Sequence, residues 1–445
     1  MSSCSAKDAK KEGNMKWWQL SLVGIGCTIG TGYFLGSSIG IRLTGPAIIL
    51  SFLIAAFSTY MVYNRLAKMT AKDPQEGSFC YYARKAHGHG VGFGCGWNYW
   101  CSNILIMGSQ LTALSILTRF WFPDVPLWVF TSIYAVLSII VVLTGTSGFN
   151  KLENLFAVIK VAAIVMFIIL AVAVIFGWIG KHTGGFQEHD AFFTSGLKGF
   201  WASLIYAFYA FGGIEVIGLM AMQLKKKEDA PKAGTMMLLV LAIIYAVSIG
   251  LAVMMTSLQN FTEDESPFVT ALNDDGLAFF PHVFNAAVII AGFSAMTASL
   301  FGVTNLLVTL AKDKDAPAFF EKKIKKLKDL PLPSLGLATV GLIASIIASF
   351  AVPGRIYEYI TTAAGLMILY NWFFIITSSL RLISSSLFQK ILSWLGLLLI
   401  LAAVIGTLFE KTVRPGLYIS LLFVVIIAIV AFFIQKKGKQ NKTAS

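Results

Sequence analysis

The chain has 445 residues, 57% of them hydrophobic and only 13% charged, at a mean hydropathy of +0.75. Soluble domains run nearer a quarter charged, so an assembly of soluble domains is excluded. The net charge of +13 does not point to nucleic acid, because the cations sit in short stretches between apolar runs of roughly twenty residues, the pattern of an oriented membrane protein.

Residues 1–17 are polar and lysine-rich and read as a cytoplasmic tail; the long apolar run after them reads as an anchor, not a cleavable signal. Twelve spans follow, near 18–41, 45–67, 92–118, 124–144, 153–179, 198–222, 235–258, 280–310, 334–352, 357–380, 389–409 and 415–434. With the N-terminus in the cytoplasm, 27 of the 35 Lys and Arg fall in inner stretches and 7 in outer ones; the remaining one is Lys160, inside span 5. That asymmetry supports twelve spans with both ends inside. The predicted class is therefore an all-α integral membrane protein. It divides into a first five-span block (18–179), a second (198–380), two additional spans (389–434) and a basic tail (435–445).

The outer loop after span 7 carries Glu263, Asp264, Glu265, Asp274 and Asp275 without a cation and reads as a solvated loop. The inner stretch Lys322 to Lys328 reads as a topology signal, with anionic-lipid contact as its other reading. Cys4, Cys27, Cys80, Cys95 and Cys101 form no C-x-x-C pair, so neither a disulfide framework nor a zinc site is predicted. His87 and His89 read as loop residues, not a metal pair. There is no G-x-x-x-x-G-K-[ST] run for an ATP-driven pump, no dense polar constellation for a membrane-embedded enzyme and no repeated filter segment for a channel.

Two spans are built to break. Span 1 holds Gly24, Gly26, Gly30 and Gly32 within nine residues, and each Gly costs a helix about 1 kcal/mol relative to Ala. Its spacing is not G-x-G-x-x-G and no strand precedes it, which excludes a dinucleotide fold. Close helix packing through small residues is the alternative reading. Span 6 reads Tyr206-Ala-Phe208-Tyr209-Ala-Phe211-Gly212-Gly213-Ile214-Glu215, a Gly pair followed by an intramembrane carboxylate. The two lead corresponding five-span blocks, the pattern of an inverted-repeat transporter. Half-helix ends there offer free N–H groups to an anion and free carbonyls to a cation, a match for an amino acid zwitterion.

Several motifs, in order, resemble the amino acid permeases of the amino acid–polyamine–organocation superfamily, in its amino acid transporter branch. They are Gly30-Thr-Gly32-Tyr-Phe-Leu-Gly36-Ser with Thr44-Gly-Pro46; Glu76-Gly-Ser-Phe-Cys-Tyr-Tyr-Ala-Arg84; Gly94-Cys-Gly-Trp97-Asn-Tyr-Trp100; Phe211-Gly-Gly-Ile-Glu215; Leu310-Ala-Lys-Asp-Lys-Asp-Ala-Pro317; Leu332-Pro-Ser; and Asn371-Trp372. They run from about residue 16 to 382. The resemblance implies a 5+5 inverted repeat with two extra C-terminal spans, and alternating access. It implies that the substrate carboxylate meets Thr31 and Gly32, with Gly30 shaping the turn. The ammonium meets carbonyls of Thr28, Tyr209 and Gly212. It makes Tyr209 an aromatic gate, with Phe208 and Phe211 as weaker candidates.

Lys160 either snorkels outward or turns into the bundle. In proton-coupled relatives a lysine at the matching position takes the place of a sodium ion, which implies proton symport here. Glu215 has two readings, a proton-sensing group and a group that holds the span 6 break in shape; the second is favoured. Span 3 near the break reads Ile104-Leu-Ile-Met107-Gly-Ser109, and no second buried acid stands ready for a cationic side chain, so a neutral, apolar amino acid is the expected substrate. The expected partners are that amino acid, protons and the lipid of a bacterial plasma membrane. No cofactor, metal, nucleic acid or obligate protein partner is expected. An exchanger without proton coupling and a non-transporting amino acid receptor remain as alternatives.

Overall fold

The computed structural model describes residues 15–443 apart from 76, 181–191, 216, 217, 219, 220, 275, 278, 325–329 and 352–354. Most of the predicted tail 1–17, Glu76 of the second motif, Asp275 of the acidic loop and Lys325, Lys326 and Lys328 of the basic stretch lie outside the described residues. Helices carry the described chain. Its only β pairing is two isolated bridges, Met15 with Leu224 and Ile324 with Leu330.

Predicted span 1 is three pieces, α1 (Trp17–Thr28), α2 (Thr31–Phe34) and α3 (Gly36–Thr44). Leu35 keeps αR dihedrals between the last two, so residues 31–44 form one helical run. A 3-10 turn with Pro46 at its start reverses the chain into α4 (Ile48–Lys72). A short helix, α5 (Ser78–His87), buries Phe79 and Tyr82 and leads into α6 (His89–Thr118). Then come α7 (Leu127–Leu143), α8 (Gly145–Ile175) and α9 (Gly196–Ala210), which stops mid-way through predicted span 6. The remainder is α10 (Ala230–Met255), the short α11 (Pro267–Asp274), α12 (Phe280–Lys312), α13 (Leu332–Ala351), α14 (Ile356–Leu382), α15 (Leu387–Gly406) and α16 (Arg414–Thr443). The last helix continues past the apolar run into the basic tail predicted from residue 435.

Among the described residues, eight helical stretches are long and apolar enough to cross a membrane, and α7 and α13 are shorter apolar helices. The 30 residues of α6 rise about 45 Å, the thickness of a bilayer with its headgroups. Burial sorts the helices. In the most apolar part of α6 and of α14, 78% of residues are buried; the figure is 28% for α15 and 11% for the last helix. Leu398, Leu421, Leu422, Phe432 and Phe433 are exposed on those two, an apolar coat that water would not tolerate and lipid does. A smaller apolar cluster, with Met107, Leu111, Met296, Leu300, Val303 and Leu342, locks α6, α12 and α13 together.

Three of the sequence motifs meet at one end of the bundle. Arg84 of α5 pairs with Asp315, just past α12, and stands 3.9 Å from Asp313. His89 Nε2 approaches the same Asp315 at 3.1 Å, and Trp97 Nε1 donates to its backbone carbonyl at 2.9 Å. Burial raises the Asp315 carboxyl above its usual value; Arg84 and His89 pull the other way. His87 instead turns to the Thr377 hydroxyl at 3.3 Å, so the two histidines diverge.

Helix α10 approaches α4 closely enough to demand glycine. A Cβ on Gly234 would lie 1.8 Å from the Tyr63 ring, which is fully buried and held by its hydroxyl on Ala230 O at 2.8 Å. Gly234→Val is expected to destabilise the protein by about 1–3 kcal/mol through overpacking. Thermal unfolding of detergent-purified protein checks this, with Gly302→Ala, where a Cβ meets nothing within 4 Å, as the comparison free of overpacking and expected to be no less stable than the native chain.

Candidate functional site at two helix breaks

Helix α1 ends at Thr28, and Ile29 and Gly30 run extended before α2 begins. Gly30 has dihedrals that any residue adopts; what favours glycine there is tight packing, since a Cβ would lie 3.0 Å from Gln110 Nε2 and 3.2 Å from Ala295 Cβ. Helix α9 ends at Ala210, and the chain turns through Phe211–Gly213. Gly213 has φ +106°, which does favour glycine. The two breaks face one another. The Cβ position of Gly213 is 3.5 Å from Cys27 O and that of Gly32 is 2.6 Å from the Tyr209 ring.

Each break leaves backbone polar groups inside the bundle, and side chains take them up. The carbonyl end of α1 is met by Lys160 of α8, whose Nζ donates to Gly26 O at 2.7 Å. Lys160 is fully buried, so it turns into the bundle and does not snorkel. A cation at a helix C-terminus is favoured by the helix dipole. Its counter-ion is Glu153, about two turns earlier on α8, with Oε1 3.6 Å away. Glu153 also accepts from Ser294 of α12, at 2.7 Å to each oxygen. A chain of four groups thus links α1, α8 and α12.

On the other side of the break, Thr31 is held by Gln110 of α6. Gln110 Oε1 accepts from the Thr31 hydroxyl at 2.6 Å and from its N–H at 3.3 Å. Tyr357 of α14 donates to Thr31 O at 3.1 Å. One residue along α6, Ser109 Oγ lies 2.8 Å from the Tyr209 hydroxyl. Thr28 turns its hydroxyl back to Gly24 O at 2.8 Å, leaving its own carbonyl at the break. Tyr209 O already accepts from Gly212 N–H at 2.9 Å and retains one lone pair.

In the second break, both oxygens of Glu215 are used. Oε2 accepts from Gly213 N–H at 3.1 Å and Oε1 accepts from the Trp372 indole of α14. Phe208 packs edge-on against that same Trp372, centroids 6.1 Å apart, while Phe211 lies against Phe52 and Tyr245. The predicted residues therefore separate into groups. Thr28, Gly30, Thr31, Gly32, Tyr209 and Gly212 lie around the two breaks. Lys160 sits behind the first break. Glu215 and Phe208 sit behind the second.

Sequence reasoning missed Gln110, Ser109, Tyr357, Ser294 and the use of Glu153 as the lysine's counter-ion. A signal existed for one of them, since Gln110 is the single amide in the stretch 104–118. The stretch ending at Ser109 reads as apolar in sequence, yet Ser109 engages the Tyr209 hydroxyl.

Comparison with known proteins places these features in context. Residues 19–444 match the family described as Amino acid permease. The chain is 54% identical, over the full length of both, to the uncharacterized transporter YcgH of Bacillus subtilis (strain 168). It is 31% identical to the aromatic amino acid transport protein AroP of Corynebacterium glutamicum, covering 82% of this chain and 80% of that one. It is 26% identical to AroP of Escherichia coli O6:H1, covering 95% and 96%. A crystal structure of the Eremococcus coleocola manganese transporter, in complex with an aromatic bis-isothiourea substituted compound, aligns with TM-score 0.58 over 97% of each chain at 13% identity, a likeness of fold.

Two pairs of substitutions test how the breaks are held. Lys160→Met leaves Glu153 without its cation and Gly26 O without its donor, and is expected to cost about 3–5 kcal/mol, the scale for breaking a buried pair. Adding Glu153→Gln is expected to recover part of it, read as unfolding temperature in detergent. Glu215→Gln offers one acceptor to two donors, so one N–H faces the amide nitrogen, a penalty of about 1–3 kcal/mol. Trp372→Phe removes one of those donors, and the double variant is expected to be more stable than Glu215→Gln alone by the same assay.

Proposed function

Because the chain belongs to the amino acid permease family, we propose that it is a secondary active transporter importing a neutral amino acid with an apolar, most simply aromatic, side chain, by proton symport and alternating access. The observation that carries this reading is the meeting of two helix breaks in the middle of a helical membrane bundle, with N–H and hydroxyl donors at Thr31 and Gly32 on one side and carbonyls at Thr28, Tyr209 and Gly212 on the other. A zwitterion's carboxylate and ammonium need those two kinds of partner.

The substrate class follows from charge and kinship. The ionisable side chains beside the breaks, Lys160, Glu153 and Glu215, are already matched to protein groups, so none is free for a charged substrate side chain. Ile368 lies against Gly212, and Ile205 and the Tyr209 Cβ lie against Gly365, which favours an apolar side chain. Two of the relatives are named as aromatic amino acid transport proteins.

The architecture is read as twelve crossings with both ends in the cytoplasm. The first comprises α1 to α3, the sixth starts with α9, and α15 and α16 are the two additions outside a 5+5 inverted repeat. What supports it is the asymmetry of Lys and Arg, 27 inside to 7 outside, together with the order of the helices. Lys160 is the proposed coupling group. Its ammonium holds the end of α1, so losing the proton weakens the bond to Gly26 O and the pairing with Glu153 and loosens the first break, which ties protonation to the position of α1. Glu215 is assigned mainly to holding the second break.

Uptake into proteoliposomes of a panel of radiolabelled amino acids, with and without an inward proton gradient, tests the reading. Gradient-dependent accumulation of aromatic amino acids is expected, and Lys160→Ala is expected to abolish accumulation. Uptake that requires amino acid preloaded inside and ignores the gradient would make the protein an exchanger. Binding without any uptake would make it a receptor.

A further inference from the structure

We propose that Gln110 is a built-in stand-in for the substrate carboxylate, which substrate must displace from Thr31 in order to bind. The proposal rests on the reading of Thr31 as the carboxylate site given above. Both Thr31 donors converge on one acceptor, Gln110 Oε1, at 2.6 Å for the hydroxyl and 3.3 Å for the N–H. A substrate carboxylate that uses those donors must take them from Gln110. The side chain is 5% exposed and comes from α6, a different helix from the one it satisfies.

The chemistry of glutamine suits the task. Its amide oxygen accepts as a carboxylate oxygen does, but carries no net charge. Hydrogen bonds to an ionised acceptor are about twice as strong as neutral ones, so a carboxylate outcompetes the amide for the same two donors. The exchange therefore runs in favour of amino acid. An apolar amine without a carboxylate gains nothing by displacing Gln110 and is disfavoured. The stand-in also solves the problem set by the bilayer, because bare donors at Thr31 would cost the desolvation of each.

The neighbour of Gln110 extends the consequence. Ser109 bonds the Tyr209 hydroxyl at 2.8 Å, so two consecutive residues of α6 grip the two broken segments, one each. Release of Gln110 by substrate loosens the grip on the first break alone. Substrate binding is thereby coupled to movement of residues 31–44 against α6.

Binding of tritiated L-phenylalanine to purified full-length protein tests this, with Gln110→Met, Gln110→Glu and Thr31→Val, each checked for a monodisperse fold. Gln110→Met keeps the shape without the acceptor and is expected to bind about two- to tenfold more tightly, the net worth of a hydrogen bond no longer to be displaced. Gln110→Glu tethers a carboxylate at Thr31 and is expected to bind at least about tenfold more weakly. A residue that merely supported the fold would weaken binding in both variants, so weaker or unchanged binding by Gln110→Met overturns the proposal even if Gln110→Glu fails to fold. Unchanged binding by Thr31→Val, or no binding of L-phenylalanine by the native chain, overturns the reading of the site itself and this proposal with it. Weaker binding by Thr31→Val alongside unchanged binding by Gln110→Met removes the Gln110 role alone.

Discussion

The hydrocarbon core of a bilayer supplies no water to an unpaired N–H or carbonyl, and the rest of this structure depends on how that demand is met at two interrupted helices. Every break in a buried helix leaves donors on one side and acceptors on the other. Here the acceptor end of α1 is met by the Lys160 ammonium, the donor end of α2 by the Gln110 amide, and the turn after α9 by the Glu215 carboxylate. Three different helices or segments supply three different chemistries, each matched in sign to the group it satisfies. The interruptions are thus held in place by polar groups in the middle of an otherwise apolar bundle.

The same constraint explains the distribution of packing. The helices that bear on the breaks, α6 and α14, are the most buried, and each reaches both breaks: α6 through Gln110 and Ser109, α14 through Tyr357 and Trp372. Helices α15 and α16 contribute little to the interior and expose leucine and phenylalanine to lipid. At one end of the bundle, Arg84, Trp97 and Asp315 tie α5, α6 and the turn after α12 into one unit.

Lys160 and Glu153 are seven residues apart on one helix, close to two turns, so their proximity follows from helix geometry once α8 is known to be continuous there. What makes the pair more than a local ion pair is Ser294 from α12 on one side and Gly26 O from α1 on the other. The lysine thereby reports on the relative position of three helices.

Much of this was legible in the sequence. Apolar run length and the asymmetry of Lys and Arg imply a many-span helical membrane protein, because bilayer thickness and membrane orientation act on any chain regardless of its fold. The glycine-rich stretch of span 1 and the Gly212-Gly213 pair announced where helices would fail, since weak helix propensity is local to the backbone; the first break itself falls at Ile29 and Gly30, while Gly32 is helical. The partners of those breaks were not legible. Gln110 lies 79 residues from Thr31, Trp372 lies 157 from Glu215, and Ser294 lies 141 from Glu153, so only packing decided which of many polar residues would arrive. Tyr209 and Phe208 make the distinction plain. Adjacent in sequence and alike in size, they turn to opposite surroundings, one over Gly32 and the other against Trp372, because successive residues of a helix are about 100° apart and only the neighbouring helices say what each direction holds. Sequence by itself determined the solvent, the element type and the places of weakness; the tertiary structure alone decided what fills each weakness, since satisfying a buried polar group is a long-range contact.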